Sequence, residues 1–152
     1  MFLLVFTIFT GQRLKLELVF ENAYDNQGWT NDDLFISCYW GYFAQLNLLK
    51  VEWSRTLKAT FTPSALLTCE WSDDEQLSCV SHLDRAELLQ DEPMIQEDVH
   101  KFLTMKLQML SQGDEGSYGC TASIENEDGE ADYHTAEKQE LRVTGKNRVF
   151  RL

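Results

Sequence analysis

Between Gly113 and Cys120 the chain reads GDEGSYGC, in which an acid, a glycine, a tyrosine and a cysteine stand at every second position: Asp114, Gly116, Tyr118 and Cys120. Residues of this kind ordinarily mark a loop. A spacing of two, however, is the repeat of a β-strand, whose alternate side chains share one face. A strand leading into Cys120 turns Tyr118 and Cys120 together into a core. Gly116 then takes the tight corner before that strand, where a side chain would crowd the backbone. From the same strand Tyr118 can bury its ring and turn its hydroxyl onto upstream backbone.

The rest of the chain repeats the period. RLKLELVF sets Leu14, Leu16, Leu18 and Phe20 against Lys15 and Glu17, as in a half-buried strand. The stretch ENAYDNQGWTNDD reads as a turn region. DLFISCYW places Leu34, Ile36, Cys38 and Trp40 on one face, and LLKVEWSR does the same with Leu49, Val51 and Trp53. LKATFTP is a weaker strand candidate. ALLTCEWSDDEQLSCVS reads as two short strands around the turn SDDEQ, with Cys69 and Cys79 placed to staple the hairpin. HLDRAELLQDEPMIQEDV does not alternate; Leu83, Ala86 and Leu88 or Leu89 mark a helical turn or two, stopped before Pro93. KFLTMKLQML fits a strand through Leu103, Met105 and Leu107, or a helix through Ile95, Val99, Phe102, Leu103 and Leu110; the surrounding strands favour the first. After Cys120 come an acidic loop, ENEDGEADYHTAEKQ, and a last strand carrying Leu141 and Val143. Short alternating strands divided by turn signals predict an all-β sandwich or barrel.

At 152 residues the chain holds one domain with a substantial core. Its 25 acids against 13 bases give a net charge of −12. Such a chain is repelled by phosphate backbones and anionic membranes, which excludes nucleic acid as the expected partner. The opening run MFLLVFTIFTG resembles the apolar core of a secretory signal peptide, without a preceding Lys or Arg; a hydrophobic first strand is the alternative. The expected division is a signal peptide at residues 1–11, a domain at 12–144 and a tail or linker at 145–152. No later window carries the roughly eighteen apolar residues of a membrane span. Four cysteines, an even number, fit an extracellular chain. The ten-residue step from Cys69 to Cys79 is not the spacing of a zinc site, and three disulfide connectivities are open.

Asp114, Gly116, Tyr118 and Cys120 resemble the Asp-x-Gly-x-Tyr-x-Cys signature of the immunoglobulin superfamily, at the start of its strand F. Met105, Leu107 and Leu110 stand where that family has the apolar residues of strand E and its following turn. Cys38, two residues after Ile36, is similar to the strand B cysteine, and Trp53, two after Val51, to the core tryptophan of strand C. The resemblance spans about residues 14 to 144. It implies an immunoglobulin-like two-sheet Greek-key sandwich of variable type. It further implies a Cys38–Cys120 bridge between the sheets with Trp53 packed against it, which leaves Cys69 to Cys79. Arg85 is a possible partner for Asp114, as in many variable-type domains. The family's Phe-Gly-x-Gly bulge is absent from the last strand, which counts against an antigen-receptor domain.

No HExxH, GxSxG or phosphate-binding glycine loop is present, and His82, His100 and His134 stand apart in sequence. No enzymatic activity is expected. Neither is a cofactor or resident metal: an EF-hand alignment on Gly129 leaves Ile124 and Thr135 where carboxylates are needed. The resemblance implies an extracellular recognition or adhesion module, secreted or on the cell surface, that binds a protein partner. The acidic charge favours a basic one. Homophilic or heterophilic domain pairing through the sheet of strands C, F and G, with Tyr39 or Trp71 as anchors, is a second mode. Candidate contact residues are Tyr42 and Asn47 in one loop and Glu125, Glu127, Asp128 and Tyr133 in another. The alternative role is a structural spacer in a larger adhesion or matrix chain.

Overall fold

The computed structural model describes residues 15–41, 47–96, 100–126 and 128–145. The expected signal peptide at 1–11, Leu14, Tyr42, Val99, Glu127 and the tail beyond Gly145 lie outside the described residues. Twelve strands are described: β1 (Leu16–Phe20), β2 (Gln27–Trp29), β3 (Leu34–Gly41), β4 (Asn47–Leu57), β5 (Pro63–Trp71), β6 (Leu77–Ser81), β7 (Ala86–Leu88), β8 (Met94–Gln96), β9 (His100–Leu107), β10 (Gly116–Glu125), β11 (Ala131–Thr135) and β12 (Gln139–Thr144). They form two sheets. One runs β1-β3-β9-β7, with β8 also on β9; the other runs β2-β12-β10-β4-β5-β6, with β11 also on β10. Among the described strands only β2 and β12 pair in parallel. The chain switches sheets between β1 and β2, at a kink where Asp25 and Asn26 take φ of 54° and 57°.

The alternating residues build the core between the sheets. Leu16, Leu18 and Phe20, then Leu34, Ile36, Cys38 and Trp40, then Leu103, Met105 and Leu107 face inward from the first sheet. Val51, Trp53, Leu67, Tyr118, Cys120, Leu141 and Val143 face them from the second. Cys38 and Cys120, both wholly buried, join the sheets through a disulfide. Trp53 stands opposite Cys120 in the β4–β10 register. Tyr118 meets Phe20 edge to face at 5.7 Å, and Trp40 meets Trp71 across the sandwich at 6.3 Å, geometries that aromatic pairs favour.

Several local expectations are corrected. The expected helical turns at 83–89 are absent; the segment forms β7, and β8 follows after Pro93, both pairing with β9. Periodicity failed there because the edge strand is broken into two three-residue pieces. LKATFTP is mostly the turn between β4 and β5, so its alternation is incidental. A register shift at Ser123/Ile124 puts Leu48 opposite Ile124, and Leu48 rather than Leu49 packs against the core. The last acidic loop is shorter than its composition suggests, since β11 already begins at Ala131.

Gly116 occupies its corner for a measurable reason. A Cβ there would lie 2.3 Å from the Thr56 carbonyl oxygen and 2.9 Å from Leu57 Cα, both backbone atoms of β4. Gly116→Ala is therefore expected to force β4 and β10 apart and to cost about 3 kcal/mol, the upper range for overpacking. Urea unfolding checks this; a change below about 1 kcal/mol would show that the strands yield freely.

Candidate functional site

Two groups of residues gather chemistry, at opposite ends of the sandwich. The first is a buried polar cluster before β10. A short 3-10 turn, Gln112–Asp114, aims the Asp114 carboxylate inward, and only 3% of that side chain is exposed. Arg85 bonds it through two nitrogens, at 2.7 and 3.0 Å, and Arg55 does so at 2.9 Å. The Ser111 amide donates to it at 2.9 Å. Tyr118 donates its hydroxyl to the Asp114 carbonyl at 2.5 Å and accepts a hydrogen bond from Arg55 at 2.9 Å. Burial pushes the Asp114 carboxyl up, but Arg85, the Ser111 amide and Arg55 pull harder, and it titrates below the ordinary carboxylate range. Burial pushes the Tyr118 phenol up to about 12. Asp114 and Tyr118 are thus bonded to each other, Gly116 lies between them in sequence against the β4 backbone, and Arg85 pairs with Asp114. Arg55 escaped the sequence reading, although its spacing of two from Trp53 aims it into the core, where a buried cation requires a carboxylate. With every charge engaged inside the protein, this cluster braces the fold.

The second group lies at the end where β3 finishes, β4 begins, and two hairpins close. Glu70 and Ser123 are both level with Lys50 of β4, so the β5–β6 turn and the β10–β11 turn leave the sandwich on the same side. Each turn is internally braced. Ser72 holds the first, its amide donating to the Gln76 carbonyl at 2.9 Å and its hydroxyl accepting from the Gln76 amide at 3.2 Å. In the second, the Asn126 side-chain oxygen accepts from the Asp128 and Glu130 amides, each at 2.9 Å, while Gly129 takes the φ of 79° that closes the turn. The first turn exposes Asp73, Asp74 and Glu75; the second, with the strand ends that flank it, exposes Glu125, Asp128, Glu130 and Asp132 at the same end of the sheet. Tyr133, 74% exposed on β11, stands next to them. The Cys69–Cys79 bridge, its two residues directly opposite in the β5–β6 register, staples the first hairpin. Of the candidate contact residues, Glu125, Asp128 and Tyr133 share this end, and Asn47 opens β4 there.

The outer face of the larger sheet is different in kind. Ser117, Thr121 and Ser123 of β10, Lys50 and Glu52 of β4 and Thr68 of β5 make it largely polar, with Tyr133 opposite Ser123 and Val80 opposite Thr68 as its exposed apolar positions. Across it the Thr68 hydroxyl donates to Glu52 at 2.7 Å and lies 2.9 Å from His82 Nε2. The expected aromatic anchors are not on that face. Tyr39 belongs to β3 in the other sheet, where its ring stacks on Phe102 at 4.7 Å. Trp71 is half-buried against Trp40, because its position on β5 turns it inward.

Two sheets, antiparallel but for the β2–β12 pair, joined by a buried disulfide, together with a tyrosine corner and the extra strands β5 and β6 beside β4, define a single immunoglobulin-like domain of variable type. No protein-family model matches the chain, and no curated protein matches it in sequence. Among solved structures 1085 chains match, a number that marks a widely shared fold and singles out no role. One of them is a structure of murine CRIg, an immunoglobulin-like V-set protein. It aligns over 88% of this chain and 99% of its own, with a TM-score of 0.63 and 14% identity. Among the described residues no helix is long and apolar enough to cross a membrane.

Proposed function

We propose that the chain is a non-enzymatic, extracellular recognition module, secreted or displayed at the cell surface, that binds a basic protein partner through the acidic end of its immunoglobulin-like domain, residues 12–144. One observation carries this reading: two braced hairpin turns at the same end of the larger sheet, with the strand residues flanking them, expose seven carboxylates, and an exposed tyrosine follows the second turn. Rigid turns lose little entropy on binding, and concentrated charge steers an oppositely charged partner. Tyr133 and Val80 give the outer face of the larger sheet two exposed apolar positions, but the rest of that face is small or charged, which suits it less to tight pairing.

Binding of the full chain to an array of expressed ectodomains tests the reading. A positively charged ectodomain is expected to bind, and to release as salt is raised. The variant D73N/D74N/D128N/D132N removes four exposed charges, each worth roughly 0.3–0.5 kcal/mol, so its affinity should fall about tenfold while its melting point holds. Binding indifferent to both changes, or no bound ectodomain, overturns the proposal. A second reading, the structural spacer, is favoured by the opposite end. There Trp29, level with Thr144 in the β2–β12 register, is 37% exposed, and Met109, beside the Leu110 carbonyl that accepts from Asn31, is 56% exposed. A neighbouring domain of a longer chain would cover them.

A further inference from the structure

Tyr133 differs from the other described tyrosines in its surroundings. It lies on β11, which pairs with β10 alone, and its hydroxyl has no hydrogen-bond partner among the described residues. In sequence the preceding residues ENEDGEAD place Asp132, Glu130, Asp128, Glu127 and Glu125 one, three, five, six and eight positions before it. Tyr118 is buried and bonded to Asp114. Tyr39 is half-buried, its hydroxyl donating to Glu21 and its ring stacked on Phe102. Tyr24 is 91% exposed, but only Glu21 and Asp25 lie within four residues of it.

We propose that Tyr133 is a site of tyrosine O-sulfation. An enzyme that handles an activated phosphosulfate nucleotide needs a cationic active site to hold that anionic donor. A tyrosine that is largely exposed and preceded by a run of carboxylates is drawn into such a site by the same charge. In the transfer the phenolic oxygen attacks sulfur and a new S–O bond forms. The bond from sulfur to the donor's phosphate oxygen breaks, the departing nucleotide phosphate keeps the electron pair, and the phenolic proton passes to a base of the transferase. Nothing is oxidised or reduced. The product is an aryl sulfate with a full negative charge and three acceptor oxygens where a neutral phenol stood. The modification rests on the extracellular reading above, because sulfation takes place in the lumen of the secretory pathway. It deepens that reading, since a sulfate at the acidic end fits a bidentate guanidinium and directs the site toward an arginine-bearing surface.

Two parallel measurements test it. In the first, the full chain is expressed in secretory cells and the protein in the medium is weighed intact. A gain of about 80 Da, the mass of one sulfo group, is expected. It should vanish in Y133F and in chlorate-grown cells, persist in Y24F, and resist phosphatase. In the second, purified full-length chain is incubated with Golgi membranes and radiolabelled phosphosulfate donor. Wild type and Y24F should take up label alike, with Y133F at background. Unmodified protein in the medium together with no label in the second measurement overturns the proposal. So does label that survives Y133F, or a mass that phosphatase removes, which would mean phosphorylation. Label at Tyr133 without protein in the medium would uphold the site and overturn the extracellular reading.

Discussion

Asp114→Ala is expected to destabilise the domain by about 3–5 kcal/mol, the range seen when one partner of a buried ion pair is removed. The cause is what the variant leaves behind. Arg55 is 8% exposed, and its Nε has no partner. Without the carboxylate its guanidinium keeps only the Tyr118 hydroxyl. Arg85 is less affected, being 32% exposed and also donating to the Gln108 and Met109 carbonyls. The double variant D114A/R55M should accordingly be more stable than D114A alone, because it removes the stranded charge together with its partner. Urea unfolding of both, with disulfides intact, checks the order; a double variant less stable than the single one would sink the argument. The pH dependence has a definite sign. Asp114 titrates lower in the folded chain than its ordinary value of about 3.9. Its stabilisation is therefore present above about pH 4 and is lost as pH falls through the folded value. The gap between wild type and D114A should close over that acid range.

The residues that made the fold legible are those whose side chains have a single physical use. Tyr118 and Cys120 alternate because both enter the core, and Gly116 precedes them because any Cβ would strike β4. The sandwich follows from such positions; the Cys38–Cys120 pairing, which spacing leaves open, comes with the immunoglobulin resemblance. Where tertiary context overrides local pattern, the reading failed. β7 and β8 are too short to show a period, and their pairing with β9 holds them as strands. The register shift beside Ser123 exchanges Leu48 for Leu49, which no count along the chain reveals. For the candidate site, charge was legible but juxtaposition was not. The β5–β6 turn and the β10–β11 turn lie some fifty residues apart in sequence, and only the β4 register sets them level. Tyr39 looked like a surface anchor because an aromatic on an alternating strand faces either way, and the sheet it belongs to is fixed by its partners.

Removing the inter-sheet bridge with C38A/C120A is expected to cost about 4–5 kcal/mol, against about 2–3 kcal/mol for C69A/C79A, on the loop-entropy account. The difference follows from sequence separation. The first bridge closes 82 residues and the second only 10, so the first removes far more freedom from the unfolded chain. Local support adds to the same order. Cys69 and Cys79 are already held opposite each other by the β5–β6 ladder, whereas Cys38 and Cys120 belong to separate sheets with no backbone hydrogen bonds between them. Domains of this size have about 5–15 kcal/mol in total, so the first variant is expected to lie close to its unfolding threshold and the second to remain folded. Urea midpoints measured under identical conditions decide the matter. Equal losses would mean that the unfolded chain retains structure around the Cys38–Cys120 loop. A larger loss at Cys69–Cys79 would mean that the β5–β6 hairpin, and with it the acidic end, depends on its staple more than on its strands.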